Sequence, residues 1–282
     1  MTKNVFDKPG ARVRLNDISA DPPKGMTRAK AGKRLEALGE ELFELQDSMF
    51  GARVRSVLVV LQGRDSAGKD GSIKHVVGFL NPRGVNVVSF GVPTAEEREH
   101  DFLWRVHRHA PRKGEFAIFN RSHYEDVLVV RVHELAPKSL WQERYGHIRD
   151  FEELLAEHST IVLKYFLHIT KKEQEQRLLE REEQADTAWK LNPNDWRERD
   201  HWDAYTGAYE DAISKTAAKH APWTVVPANA KWYRNLVIAE SIVAALRAHR
   251  KDWKRKLEEM GEAGRKELAD YRRAPRRAAK KR

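Results

Sequence analysis

The run SVLVVLQ at 56–62 leads without a break into Gly63-Arg64-Asp65-Ser66-Ala67-Gly68-Lys69-Asp70-Gly71, and then into SIKHVVGFL. A valine-rich apolar run of this length, bounded by polar residues, reads as a strand buried on both faces. Glycine at each end of the following loop permits a tight path. The GxxxxGK spacing then lets backbone N–H groups curl around an anion, with a helix N-terminus behind it and a lysine ammonium reaching the terminal phosphates. Gly63, Ala67, Gly68, Lys69, Asp70 and Gly71 are therefore candidate phosphate contacts. A strand, loop and helix joined in this way belong to an α/β architecture.

The rest of the chain agrees with that constraint. Four further apolar runs read as strands: VNVVSF at 85–90, EFAIFN at 115–120, STIVLKYFLHI at 159–169 and PWTVVPA at 222–228. Helical patterns separate them at about 69–80, 95–109, 122–132, 139–157 and 171–219, and a last one spans 232–250. This alternation predicts a parallel sheet covered by helices on both sides. Residues 1–26 lack periodicity and read as an arm over the surface, followed by an amphipathic helix to residue 50. The stretch 171–219 is longer than a crossover needs. It breaks at Leu191-Asn192-Pro193-Asn194, so it predicts a helical pair projecting from the sheet, the second helix capped by Asn194 or Asp195.

Two acidic positions set this loop apart from ATP-using ones. Asp70 stands where those carry a Ser or Thr hydroxyl for magnesium. Asp65 lies inside the loop, where its carboxylate repels a bare phosphate unless a cation sits between them, so Asp65 is a candidate Mg2+ ligand. The third strand ends in Asn120-Arg121-Ser122-His123-Tyr124-Glu125-Asp126. At the place where a strand-end carboxylate usually helps hold magnesium, Asn120 offers a neutral oxygen, and Arg121 offers a forked cation suited to phosphoryl oxygens. Glu125 adds a carboxylate beside them.

There is no cysteine, which excludes disulfides and thiolate chemistry, and no apolar run of membrane-spanning length. The first residues lack a secretory apolar region, so the expectation is a soluble, cytoplasmic protein with no membrane partner. Of the formal charge of +10, the segment 251–282 carries thirteen Lys and Arg against six Asp and Glu, which leaves the body at only +3. That basic tail reads as a solvated, partly disordered terminus, with binding to nucleic acid or another polyanion as the competing role.

GRDSAGKDG at 63–71, LNPRG at 80–84, FNRSHYEDVLVVRVH at 119–133, LKYFLHITKKEQEQRL at 163–178 and WKLNPNDW at 189–196 together resemble the polyphosphate kinase 2 family. The resemblance implies a three-layer α/β/α P-loop kinase fold with a parallel sheet and a helical lid insertion at about 171–205, within a kinase domain over 51–250. It implies dependence on Mg2+, with Mn2+ a possible substitute, and a homo-oligomer, dimer or tetramer. It implies that Asp65 and Lys69 serve the phosphate loop, that Arg121 contacts the phosphoryl centre, and that Arg181 and Lys190 reach in from the lid. Many members carry Asp where this chain has Asn120. The NRSHYED form, with its Glu125, looks like the subgroup that phosphorylates both AMP and ADP. The expected substrates are inorganic polyphosphate and nucleotides, namely AMP, ADP and ATP, with guanine nucleotides open. A polyphosphate chain has no base to recognise, so its groove should be cationic, with Arg83, Arg105, Arg108, Arg121 and Arg131 as candidates. An ATP-dependent nucleoside monophosphate kinase is the alternative enzyme, and a non-catalytic polyanion- or nucleic-acid-binding protein the alternative outside enzymes.

Overall fold

The computed structural model describes residues 4–183, 189 and 191–273. Its six strands are β1 (Val5–Phe6), β2 (Ser56–Gly63), β3 (Val85–Ser89), β4 (Phe116–Asn120), β5 (Thr160–His168) and β6 (Trp223–Pro227), ordered β1-β6-β5-β2-β4-β3. Every pairing is parallel except β1 with β6. All eight residues of β2 are buried, the physical reason for its unbroken apolar run. Successive side chains alternate between two cores. Val57, Val59 and Leu61 face α1 (Arg28–Ala52) and α10 (Lys231–Arg247), whereas Leu58 and Val60 face α6 (Lys138–Glu157) and α9 (Trp202–Thr216). The result is a helix–sheet–helix sandwich, with α2 (Lys69–Val76) joining the first layer.

Several expectations need correction. The arm does more than lie on the surface: Val5 and Phe6 add an antiparallel strand to β6, and Val13, Leu15 and Ala20 are buried. A two-residue strand leaves no periodicity to read. The span 95–109 holds two single-turn helices, α3 (Ala95–Arg98) and α4 (Trp104–His107), the second begun by Asp101, whose carboxylate accepts from the Leu103 and Trp104 amides. The span 122–132 is likewise a 3-10 turn at His123–Val127 followed by α5 (Val129–Val132).

In the long insertion, α7 (Lys171–Glu183) is followed by α8 (Pro193–Arg197), a 3-10 turn at Glu198–His201 and then α9. The cap of α8 is Asn192, not Asn194 or Asp195: its side chain accepts from the Asn194 amide, with Pro193 in the first turn. Much of α9 belongs to the core, where Ala208, Ala212 and Ile213 are buried. The basic segment after 250 is not an unstructured tail as far as it is described. It forms α11 (Arg250–Arg273), whose Trp253 is fully buried in the first core. Surface pairs such as Lys254 with Glu258 stabilise a helix of this charge density.

Candidate active site

Parallel strands place their carboxyl ends together, and the loop after β2 meets the loop after β4 there. The chain curls tightly between Gly63 and Lys69, with Ser66 at φ 63° and Gly68 at φ 102°. Gly68 is required twice over, because any Cβ would also fall 1.7 Å from Arg234 Nη1. Lys69 opens α2 and turns back, Nζ donating to the Gly63 carbonyl at 2.6 Å. Burial pushes the Lys69 ammonium below its ordinary pKa, and the Asp65 carboxylate opposes that fall.

Two arginines from outside the loop, Arg177 and Arg234, and one within it, Arg64, fix its shape. Arg177 on α7 donates to the carbonyls of Ser66 (2.9 Å), Ala67 (3.1 Å), Ala228 (2.6 Å) and Asn229 (2.8 Å). Arg234 on α10 donates to the Ala67 carbonyl at 3.3 Å and is steadied by Asn235; burial and the nearby Arg177 bring its pKa down to about 10. Arg64 stacks 3.8 Å from the Trp202 ring centroid and donates to Thr206 at the start of α9. Gln174 donates to the Asp65 carbonyl at 3.0 Å. Arg181 reaches from α7 to Ser66 Oγ and to Asp195 Oδ2, both at 2.7 Å. The loop is therefore held by α7 as well as by α10.

At the end of β4, Arg121 adopts φ 61° and donates to Asp65 Oδ1 at 2.8 Å. Burial would lower its pKa, but the carboxylates of Glu125 and Asp65 outweigh that and raise it. Asn120 Nδ2 donates to Asp70 Oδ1 at 2.8 Å, while its Oδ1 is enclosed with no partner among the described residues. Glu125 lies in the same electrostatic field as Arg121 and Lys69. Burial pushes its carboxyl up, only partly opposed by those two cations. Behind this turn sits a buried polar cluster. Lys164 Nζ donates to Glu152 Oε2 at 2.6 Å and to the Tyr124 hydroxyl at 3.0 Å, so the segment carrying Arg121 and Glu125 is anchored in the second core.

Asp65, Gly68, Lys69, Asp70, Gly71, Asn120, Arg121 and Arg181 all line one cleft of about 1160 Å³, which continues past Lys74 and Lys231 toward Arg28 on α1. Gly63 and Ala67 belong to the loop that forms its floor. Lys190 lies outside the described residues. The other cations depart from expectation. Arg83 sits before β3, at the opposite edge of the sheet. Arg131 pairs with Asp211 at 2.6 Å and packs over Trp141, away from the cleft. Arg105 is buried against Phe90 and Glu97, and Arg108 stacks on Trp104.

Sequence reasoning missed Arg177, Arg234, Arg64 and Gln174. Gln174, Arg177 and Arg181 fall at i, i+3 and i+7 on α7, a polar stripe facing the loop, and Arg234 is the last cation before the stretch 236–246 of α10, which has no Lys or Arg. Those two patterns were available signals. What the sequence does not display is that their partners are backbone carbonyls.

A family model described as Polyphosphate kinase 2 (PPK2) matches residues 25–254. The AMP/ADP-polyphosphate phosphotransferase of Meiothermus ruber is 48% identical over 241 residues, covering 85% of this chain and 90% of that protein. The ADP-polyphosphate phosphotransferase of Rhodopseudomonas palustris is 41% identical over 219 residues, covering 73% and 76%. Among solved structures, polyphosphate kinase 2 from Arthrobacter aurescens TC1 superposes with a TM-score of 0.82 at 38% identity, covering 86% of this chain and 90% of that one.

Proposed function

Since the chain belongs to the polyphosphate kinase 2 family and is a polyphosphate:nucleotide phosphotransferase, we propose that one cleft carries AMP to ADP and ADP to ATP, with polyphosphate as donor in both steps. The observation that carries this reading is the convergence of Lys69, Arg121 and Arg181 on a phosphate loop, with Glu125 held beside them. The loop amides and Lys69 hold the donor end. An oxygen of the acceptor phosphate attacks the terminal phosphorus, the bridging P–O bond breaks, and the electron pair leaves on the shortened polyphosphate. A nucleotide phosphate is already anionic near neutral pH, its second pKa being about 6, so the step needs no strong general base. The protein's task is alignment and charge stabilisation, for which Arg121 and Arg181 are placed.

Mg2+, with Mn2+ as a substitute, belongs to the same reading. The described residues hold no group of three or more His, Cys, Asp or Glu that could hold a metal ion. The donors present suit a hydrated hard cation shared with phosphate, which takes one or two carboxylates and keeps several waters. Asp65 supplies the carboxylate, and the unpartnered Asn120 Oδ1 can accept from one of those waters or ligate directly. When bound, the ion neutralises charge on the phosphate oxygens. Among the described residues no helix is long and apolar enough to cross a membrane. A cytoplasmic site and assembly with further copies of the chain complete the proposal.

Glu125 is assigned to acceptance of the shorter nucleotide. AMP must advance by about one phosphate, or recruit a cation or water, to bring reacting atoms within roughly 3 to 3.5 Å. A partly buried carboxylate near Arg121 can hold either. The test is initial rates with polyphosphate and Mg2+ on AMP and on ADP separately. Lys69→Ala should cut turnover of both about a hundredfold or more. Glu125→Asn should lower kcat/KM for AMP more than for ADP. Equal losses would return Glu125 to a structural role, and an unmodified protein inert toward AMP would sink the two-step assignment.

A further inference from the structure

The LNPRG motif at 80–84 is not used by the cleft, yet the fold builds it carefully. Gln46 on α1 grips Asn81 through both its amide and its carbonyl, at 2.7 and 3.0 Å. Asn81 in turn accepts from the Arg83 amide, and a Cβ on Gly84 would fall 2.8 Å from Gln46 Nε2. The outcome is a tight turn that presents Arg83 at the amino edge of the sheet. Arg53, which ends α1 at φ 51°, lies beside it, and the two guanidinium groups approach the single ring of Phe50 at 5.9 and 5.6 Å. Arg112 and Lys113 come from the turn before β4, which packs closely enough that a Cβ on Gly114 would meet the Phe50 carbonyl at 3.1 Å. These four cations and one carboxylate, Glu115, line a pocket of about 360 Å³.

None of the four forms an ion pair with a described residue. Several cations with a structural task have carboxylate partners, as Arg131 has Asp211, Arg144 has Asp126 and Arg199 has Glu175, and others, such as Arg234 and Arg64, are held by carbonyl or hydroxyl oxygens. Gathering four cations around a single carboxylate, in a body whose formal charge is only +3, works against their mutual repulsion. An anion of many charges removes that cost, whereas a single phosphate reaches only part of the pocket.

We propose that this pocket is a second polyphosphate-binding site, which tethers the distal part of a long donor chain while its end is consumed in the cleft. The proposal rests on polyphosphate being the donor. A route joins the two places. β3 is the outermost strand on its side of the sheet; Arg83 precedes it, and Ser89, Phe90 and Gly91 at its far end line the cleft. Its five residues span about 17 Å at about 3.3 Å each, so a long linear chain bridges both sites and a short one does not. Occupation of the tether raises the effective concentration of the chain at the cleft.

The experiment replaces the exposed cations together, Arg83→Gln, Arg112→Gln and Lys113→Gln, and compares hexaphosphate with chains of about a hundred phosphates as donors. Turnover and KM with hexaphosphate should be unchanged, which also reports an intact fold. KM for the long donor should rise about tenfold, from loss of the tether's effective concentration. In equilibrium binding of long polyphosphate without nucleotide, the dependence of log affinity on log salt should flatten by about 2, taking roughly 0.7 per phosphate contact on a flexible polyanion. A ratio of long- to short-donor KM equal to that of the unmodified protein overturns the proposal. So does a loss of affinity for single-stranded RNA with affinity for polyphosphate retained. If the unmodified protein fails to turn over polyphosphate, the proposed function falls by itself. The binding measurement then decides the tether separately, unchanged affinity of the triple variant for the long chain overturning it.

Discussion

Glu125 carries a cost that should be visible in stability as well as rate. Burial holds its carboxyl above the ordinary value, so the folded protein keeps this proton more tightly than the unfolded chain, where a glutamate titrates near pH 4.3. A group whose folded pKa is raised contributes its stabilisation fully below the unfolded pKa and loses it as pH climbs through the folded one. Glu125→Gln removes that loss, because an amide cannot ionise. Urea midpoints of the two proteins should nearly coincide around pH 4, and the variant should be the more resistant one around pH 8. A gap that does not change with pH would mean that Arg121 and Lys69 compensate the buried charge in full. Gly68 shows the same economy at one atom: it serves the left-handed turn and also leaves room for the Arg234 guanidinium.

The helix α7 works as two devices in one element. Arg177, near its middle, is buried and satisfies four carbonyls on two loops, whereas Arg181, one turn later, lies at the rim on Ser66 and Asp195. Arg177→Met leaves those carbonyls without a donor and should cost about 3 kcal/mol or more in urea unfolding. Arg181→Met should leave stability within about 1 kcal/mol and act on kcat instead. Similar losses of stability in both would show that the rim arginine is also a strut. The same contrast explains what the sequence could reveal. Strands β2, β4, β5 and β6 were legible because burial on both faces demands apolar runs, β3 because its three valines suit a strand although it is a largely exposed edge, and the phosphate loop because its glycines and lysine keep fixed spacing. β1 was illegible because two residues carry no pattern, and the single-turn helices at 95–107 because local capping rather than an apolar stripe defines them. Arg177 and Arg234 escaped since carbonyl acceptors have no side-chain signature. Arg83 and Arg131 lie away from the cleft, because a charge alone does not say which end of the sheet it occupies or which carboxylate it meets.

The whole molecule is closed by its last described helix. Trp253 of α11 is fully buried against the layer formed by α1 and α10, although the segment reads as a charged tail. Trp253→Ala should therefore cost about 3 to 5 kcal/mol, measured by thermal or urea unfolding, and a loss below about 1 kcal/mol would mean that α11 is only loosely seated. The pairing of α1 with α10 and α11, and of β1 with β6, has a temporal meaning. Synthesis proceeds from the amino end at about 5 to 20 residues per second, and the elements made first have their partners among those made last. From the time α1 leaves the ribosome until residues near 253 follow, its apolar stripe of Leu38, Leu42, Leu45 and Met49 has nothing native to cover part of it. The nascent chain thus spends roughly ten seconds or more with that stripe incompletely sheltered, a window in which a chaperone rather than the fold itself must guard it.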